Sequence, residues 1–124
     1  MTIKVNLISY GNKENKNLKN PNIMFNLESL RCPKGYDLKK YHGLNKTFQE
    51  AFYSIPSVDN KINNIVNRIT TYLLEYSDSI EITFLFRCKE GIHRSPAVSE
   101  RVYKILYNDI RFINKYDFNI YHYT

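Results

Sequence analysis

The residues of this chain that are best suited to chemistry lie in the segment 88–95, which reads Cys-Lys-Glu-Gly-Ile-His-Arg-Ser. The guanidinium of Arg94 presents N–H donors in a fork that matches phosphate oxygens, and His93 adds a second side-chain donor. Gly91 lets the backbone adopt a positive φ or approach another group closely. We therefore predict an anion-binding loop made of Cys88, Lys89, Glu90, Gly91, Ile92, His93, Arg94 and Ser95.

A predicted strand and a predicted helix flank this loop. Apolar residues alternate along 80–87, which indicates a strand, and apolar residues recur at helical spacing after Pro96. Ser95 is a favourable N-cap, and Pro96 suits the first position of a helix. The N-terminus of such a helix offers unpaired N–H groups and about half a positive charge to an anion. The alternative is that His93 and Arg94 only cap the loop or pair with a carboxylate.

The rest of the pattern predicts an α/β fold. Strands are expected at 3–9, 23–26 and 118–123, a short helix at 46–53 and a long amphipathic helix at 57–76. This alternation implies a single small domain, residues 1–124, with a mostly parallel sheet and helices packed on its faces.

Ligands of parallel sheets bind beyond the carboxyl ends of the strands. Two further candidate ligand contacts follow from this rule. Asn26 ends the second predicted strand, provided that this strand runs parallel to its neighbours, and His122 lies near the end of the last one.

The connection 27–45 is long for so small a domain, and such connections are usually functional or disordered. Lys34, Lys39 and Lys40 could close over an anion from this segment, while Tyr41 and His42 could stack on a sugar or a base. A solvated loop and ordinary aromatic packing account for the same residues equally well.

Composition limits the class of partner. The chain has 124 residues and a formal net charge of +6, which favours anionic partners, although a solvated basic surface accounts for it as well. RNA is therefore an open partner. The two cysteines, Cys32 and Cys88, fit reduced thiols and a cytoplasmic location better than a disulfide. We expect no metal, no cofactor and no membrane span, because the sequence lacks paired Cys and His ligands and long apolar segments.

The spacing of Cys88, Arg94 and Ser95 resembles the signature of the protein tyrosine and dual-specificity phosphatases, Cys-x5-Arg followed by Ser or Thr. The resemblance implies that Cys88 attacks phosphorus as a thiolate, that Arg94 and the loop amides hold the phosphate oxygens, and that Ser95 assists release of the thiolate. Asp59 is the nearest upstream candidate for the acid that protonates the leaving oxygen. The match is local, and Arg87 stands where that family usually has a His.

A second resemblance extends over nearly the whole chain, to the C-terminal domain of the RapZ RNase adapter proteins. The family motif Gly-Cys-Thr-Gly-Gly-x-His-Arg-Ser resembles Arg-Cys-Lys-Glu-Gly-Ile-His-Arg-Ser at 87–95. The Gly-Leu-Asp step of the family is similar to 43–45, and its long helix is similar to 57–76. The chain departs from the family where Thr-Gly after the Cys becomes Lys89-Glu90.

The second resemblance implies a standalone copy of a domain that senses glucosamine-6-phosphate, binds a small regulatory RNA and assembles into oligomers. The phosphate would then lie on Cys88, Gly91, His93, Arg94 and Ser95. Our sequence-based prediction is a module that binds a sugar phosphate or a nucleotide without turnover. The alternatives are a cysteine-dependent phosphatase that uses Cys88 and Arg94, and an RNA-binding adapter domain, with self-association open in each case.

Overall fold

The computed structural model describes residues 2–12, 18, 21–35, 37–75 and 80–123. Along them lie the strands β1 (Ile3–Tyr10), β2 (Ile23–Asn26), β3 (Glu81–Arg87) and β4 (Tyr116–His122) and the helices α1 (Lys46–Tyr53), α2 (Pro56–Glu75) and α3 (Arg94–Tyr107). Strand β2 and helix α1 have the bounds that the sequence pattern predicts. None of the helices within these residues has both the length and the apolar character needed to cross a bilayer.

The described strands form a 4-stranded sheet in the order β2-β3-β1-β4, and every neighbouring pair is parallel. This arrangement confirms the predicted α/β class. In the sheet register, Asn26 and Tyr10 both lie opposite Arg87, on either side of it. The carboxyl ends of β1, β2 and β3 therefore meet at one edge of the sheet, where the loop 88–95 begins.

The hydrophobic core lies between the sheet and the helices. Inward-facing residues of the central strands, such as Leu7 and Phe84, are completely buried. They join one cluster with the apolar stripe of α2, which includes Ile65 and Ile69, and with Val98 of α3. Burial of each large apolar side chain contributes about 1.5–3 kcal/mol, so this cluster holds the helices to the sheet. It thereby fixes the N-terminus of α3 near the carboxyl edge of the strands.

Helix α3 begins at Arg94, and the prediction of a start at Pro96 with Ser95 as N-cap is wrong. The N-cap is His93, which makes no side-chain capping hydrogen bond. The Oγ of Ser95 instead lies 3.3 Å from the carbonyl oxygen of Tyr10 and donates to it. The hydroxyl therefore ties the first turn of α3 to the end of β1. Pro96 is tolerated in that turn because the first N–H groups of a helix have no intrahelical acceptor.

Candidate functional site

A cavity of about 320 Å³ opens at the carboxyl edge of the sheet, between the loop 88–95 and the connection 27–45. This volume suits a small ligand. One wall comes from the loop and the other from the connection. The lining residues are Cys32, Leu38, Lys39, His42, Cys88, Lys89, Glu90, Ile92, His93 and Arg94.

Two glycines allow close backbone contacts around the cavity. Gly91 has a φ of +78°, and a Cβ there would overlap the backbone of Tyr10 and Gly11. Only glycine therefore lets the loop turn this closely against the end of β1. A Cβ on Gly43 would overlap the carbonyl oxygen of His93, and the Gly43 N–H donates to the Ile92 carbonyl at 2.7 Å. The connection is thus fastened to the loop by its backbone.

The buried sulfur of Cys88 accepts hydrogen bonds from the backbone of the loop. Its side chain is buried, with 1% of its surface exposed. The backbone N–H groups of Gly91 and Ser95 each donate to its Sγ at 3.3 Å, and the Oγ of Ser95 lies 3.2 Å from the same sulfur. The N–H of Gly91, which the sequence suggested for the anion, is therefore already engaged by a protein atom.

Other loop amides have no such engagement. Among the described residues, no hydrogen-bond acceptor faces the backbone N–H groups of Lys89, Glu90, Ile92, His93 and Arg94. All of these residues line the cavity. Ile92, His93 and Arg94 are buried or half-buried, where an N–H group without a partner is costly. An anion at a helix N-terminus satisfies such groups directly.

Arg94 links the loop to the connection through two backbone carbonyl groups. Its Nη1 donates to the carbonyl oxygens of Glu28 at 2.8 Å and Leu30 at 3.0 Å. Within the described residues its guanidinium has no carboxylate partner. The side chain also lines the cavity, so the donors on its other nitrogens are available to an anionic ligand.

His93 is oriented by its contacts with the connection. Its Nε2 lies 2.5 Å from the carbonyl oxygen of Leu38, and because a carbonyl can only accept, the proton is on Nε2. Its Nδ1 is 3.9 Å from the carboxylate of Glu90, and its ring meets the ring of His42 edge-on at a centroid distance of 5.4 Å. The Nε2 donor is therefore not free for a ligand. The Nδ1 of the neutral ring can only accept, so His93 donates to a phosphate oxygen only when both ring nitrogens carry a proton.

The connection contributes residues that the sequence only partly revealed. Lys39 and His42 were named as candidates and line the cavity, whereas Lys34 and Lys40 do not. Cys32 was missed, because nothing in its sequence neighbourhood distinguishes it. Burial raises the pKa of the Cys32 thiol, and the nearby Arg94 guanidinium partly opposes that shift.

The remaining candidates lie outside the cavity lining. The Oδ1 of Asn26 accepts from the backbone N–H of Glu28 at 3.0 Å and so stabilises the local turn. The ring of His122 lies between the Oγ of Ser9 and the Oε1 of Glu100. Asp59 is exposed in the first turn of α2, where a carboxylate interacts favourably with the helix dipole. The structure therefore does not bring these three candidates into the cavity with the loop.

Metal ligation is not suggested by the side chains: in the described part of the chain, His, Cys, Asp and Glu form no cluster able to hold an ion. Comparison with known proteins identifies one relevant family. The family model of the RapZ C-terminal domain matches residues 3–122, which include the whole cavity lining. No curated protein sequence matches the chain.

Proposed function

The chain belongs to the RapZ C-terminal domain family, and we propose that it is a regulatory binding module that holds a phosphorylated small molecule, a sugar phosphate or a nucleotide, against the loop 88–95. The observation that carries the proposal is the coincidence of three features in one cavity. The N-terminus of α3, loop amides without acceptors and the partly free guanidinium of Arg94 all border it. Each of them favours a phosphate group.

The charge of the cavity supports the same proposal. Among the described residues, its lining contains the cations Lys39, Lys89 and Arg94 and one carboxylate, that of Glu90. The Glu90 side chain is 64% exposed, so solvent screens its charge. An anion would therefore enter a site with an excess of positive charge and with hydrogen-bond donors in the same place.

Thermal unfolding tests the proposal. Inorganic phosphate, glucose 6-phosphate and AMP are added to the full chain, and binding to the folded state alone must raise the Tm with ligand concentration. Arg94→Lys keeps the charge but loses the fork of donors, so it should weaken the Tm gain, and Arg94→Ala should abolish it. The control is Arg101→Ala, on the exposed side of the same helix and outside the cavity lining. A folded Arg94→Ala protein with an undiminished Tm gain would overturn the proposal.

A cysteine-dependent phosphatase is the second candidate, and the hydrogen bonds to Cys88 favour it. The backbone N–H groups of Gly91 and Ser95 donate to the sulfur, and such donors favour a thiolate nucleophile. The expected general acid is not at hand, because Asp59 does not line the cavity. Hydrolysis of an aryl phosphate by fresh reduced protein, lost in Cys88→Ser, would establish this candidate in place of binding without turnover.

A further inference from the structure

The cavity carries more positive charge than a single phosphate group needs. In the function proposed above, the N-terminus of α3 and Arg94 bind one phosphate group. Lys89 lies in the loop beside them, and Lys39 extends the positive charge to the opposite wall, which belongs to the connection. Both lysines are exposed, and among the described residues neither forms a salt bridge.

The groups around the two lysines limit which charged groups a ligand can carry. His42 lines the same wall as Lys39, and Glu90 is the single carboxylate among the described lining residues. The Glu90 side chain is 64% exposed, so solvent screens its charge. The carboxylate of Asp37, which accepts from the backbone N–H of Lys39 at 3.0 Å, is not among the lining residues. A ligand with its own ammonium group would therefore meet a surplus of like charge. A second anionic group would meet two ammonium groups that form no salt bridge within the described part of the chain.

Resting on the function proposed above, we propose that the cavity selects a small molecule with two anionic groups, such as a sugar bisphosphate. One group lies at the N-terminus of α3 against Arg94, and the other lies between Lys39 and Lys89. An amino-sugar phosphate is disfavoured because its ammonium group faces the same lysines. This assignment concerns the outer part of the cavity and leaves the phosphate position at the loop unchanged.

Calorimetric titration of the full chain distinguishes these ligands. The probes are glucose 6-phosphate, fructose 1,6-bisphosphate and glucosamine 6-phosphate, compared at constant ionic strength. The bisphosphate should bind about tenfold or more tightly than glucose 6-phosphate, because one extra charge-assisted contact is worth about that factor. Glucosamine 6-phosphate should bind more weakly than glucose 6-phosphate.

Variants assign the selectivity to the lysines. Lys39→Met and Lys89→Met should reduce the advantage of the bisphosphate over glucose 6-phosphate. The matched control is Lys34→Met, an exposed lysine of the same connection that does not line the cavity, which reports the general effect of one lost charge. Equal affinities for all three probes, or selectivity unchanged in both cavity variants, would overturn this inference alone. Failure of every phosphorylated probe to bind would overturn the proposed function with it.

Discussion

The Oγ of Ser95 lies 3.2 Å from the Sγ of Cys88, and the backbone N–H of Ser95 donates to the same sulfur at 3.3 Å. This relationship couples the first turn of α3 to the residue that directly follows β3. The Gly91 N–H donates to the same sulfur at 3.3 Å. A buried thiol therefore determines how the loop 88–95 closes, whether or not it reacts.

The first prediction concerns this sulfur. Cys88→Ala should lower the free energy of unfolding by about 1–3 kcal/mol, because buried N–H groups lose their acceptor and a small void remains. Cys32→Ala is the matched control, since Cys32 is only partly buried and its thiol makes no hydrogen bond within the described residues. Urea unfolding measures both variants. Equal losses of stability would show that the Cys88 contacts contribute nothing beyond burial.

The second prediction separates two effects of glycine. Gly91 and Gly35 have similar φ values, +78° and +83°, but a Cβ on Gly35 would meet open space. Gly35→Ala should therefore cost about 1 kcal/mol from the left-handed backbone alone. Gly91→Ala should cost more and should also abolish phosphate binding, because the new Cβ pushes the loop away from Tyr10 and Gly11. The measurements are urea unfolding and the Tm gain with glucose 6-phosphate.

A similar loss of stability in both glycine variants would contradict this interpretation, since the overlap around Gly91 would then be relieved at little cost. Binding that survives in a folded Gly91→Ala protein would show that the tight turn of the loop is not required for the site.

The order of strands and helices could be predicted because it depends on local periodicity. The stripe of α2 follows directly from burial of one side of the helix, and the apolar run of β3 follows from burial of Phe84, Leu85 and Phe86 on both faces of the strand. Parallel pairing follows from the alternation of strands with helices. The position of the candidate loop between β3 and α3 is equally local. Gly91 could be singled out from sequence because glycine is the residue that adopts a positive φ at the lowest cost.

The sequence-based predictions fail where a residue can bind more than one partner. Ser95 is a favourable N-cap residue, but its hydroxyl contacts the carbonyl oxygen of Tyr10 and the sulfur of Cys88 instead. Neither contact follows from the local sequence pattern around Ser95. The contribution of Cys32 depends on how the connection 27–45 returns over the loop. That path is fixed by the Gly43 contact with Ile92, which no periodicity reveals.

The third prediction concerns alkaline pH. Burial raises the pKa of Tyr53 well above its usual range, and the nearby Glu100 carboxylate adds to the shift while Arg101 opposes it. The folded chain therefore holds this proton more tightly than the unfolded chain. Its contribution to stability is complete below the ordinary tyrosine pKa of about 10 and is lost progressively as the pH rises above it.

Tyr53→Phe tests that contribution. The hydroxyl donates to the Ala97 carbonyl at 2.6 Å, so its removal should cost about 1 kcal/mol at neutral pH. Above the ordinary tyrosine pKa, the variant should lose stability less steeply than the parent chain. Tyr121→Phe, at an exposed tyrosine, should leave the slope unchanged. An identical slope for Tyr53→Phe and the parent chain in urea unfolding across this pH range would contradict the assignment.

The last prediction separates a structural histidine from one at the cavity. The Nδ1 of His122 lies 2.5 Å from the Oγ of Ser9, and its Nε2 lies 2.8 Å from a carboxylate oxygen of Glu100. Because the carboxylate accepts from Nε2, the Nδ1 of the neutral ring accepts from the Ser9 hydroxyl. Ser9 is completely buried, so His122→Ala leaves its hydroxyl without this partner and should cost about 1–3 kcal/mol.

The affinity for glucose 6-phosphate should depend on His42 and not on His122, the reverse of the expected effects on stability. His122 does not line the cavity, so His122→Ala should leave the affinity for glucose 6-phosphate unchanged at a temperature where the variant is folded. His42→Ala, at an exposed lining residue, should change the free energy of unfolding little and should lower the affinity for glucose 6-phosphate. Unfolding and calorimetric titration of both variants give the comparison. An equal loss of affinity in the two would restore His122 to the ligand contacts that the sequence suggested, because the end of β4 would then have to reach the bound molecule.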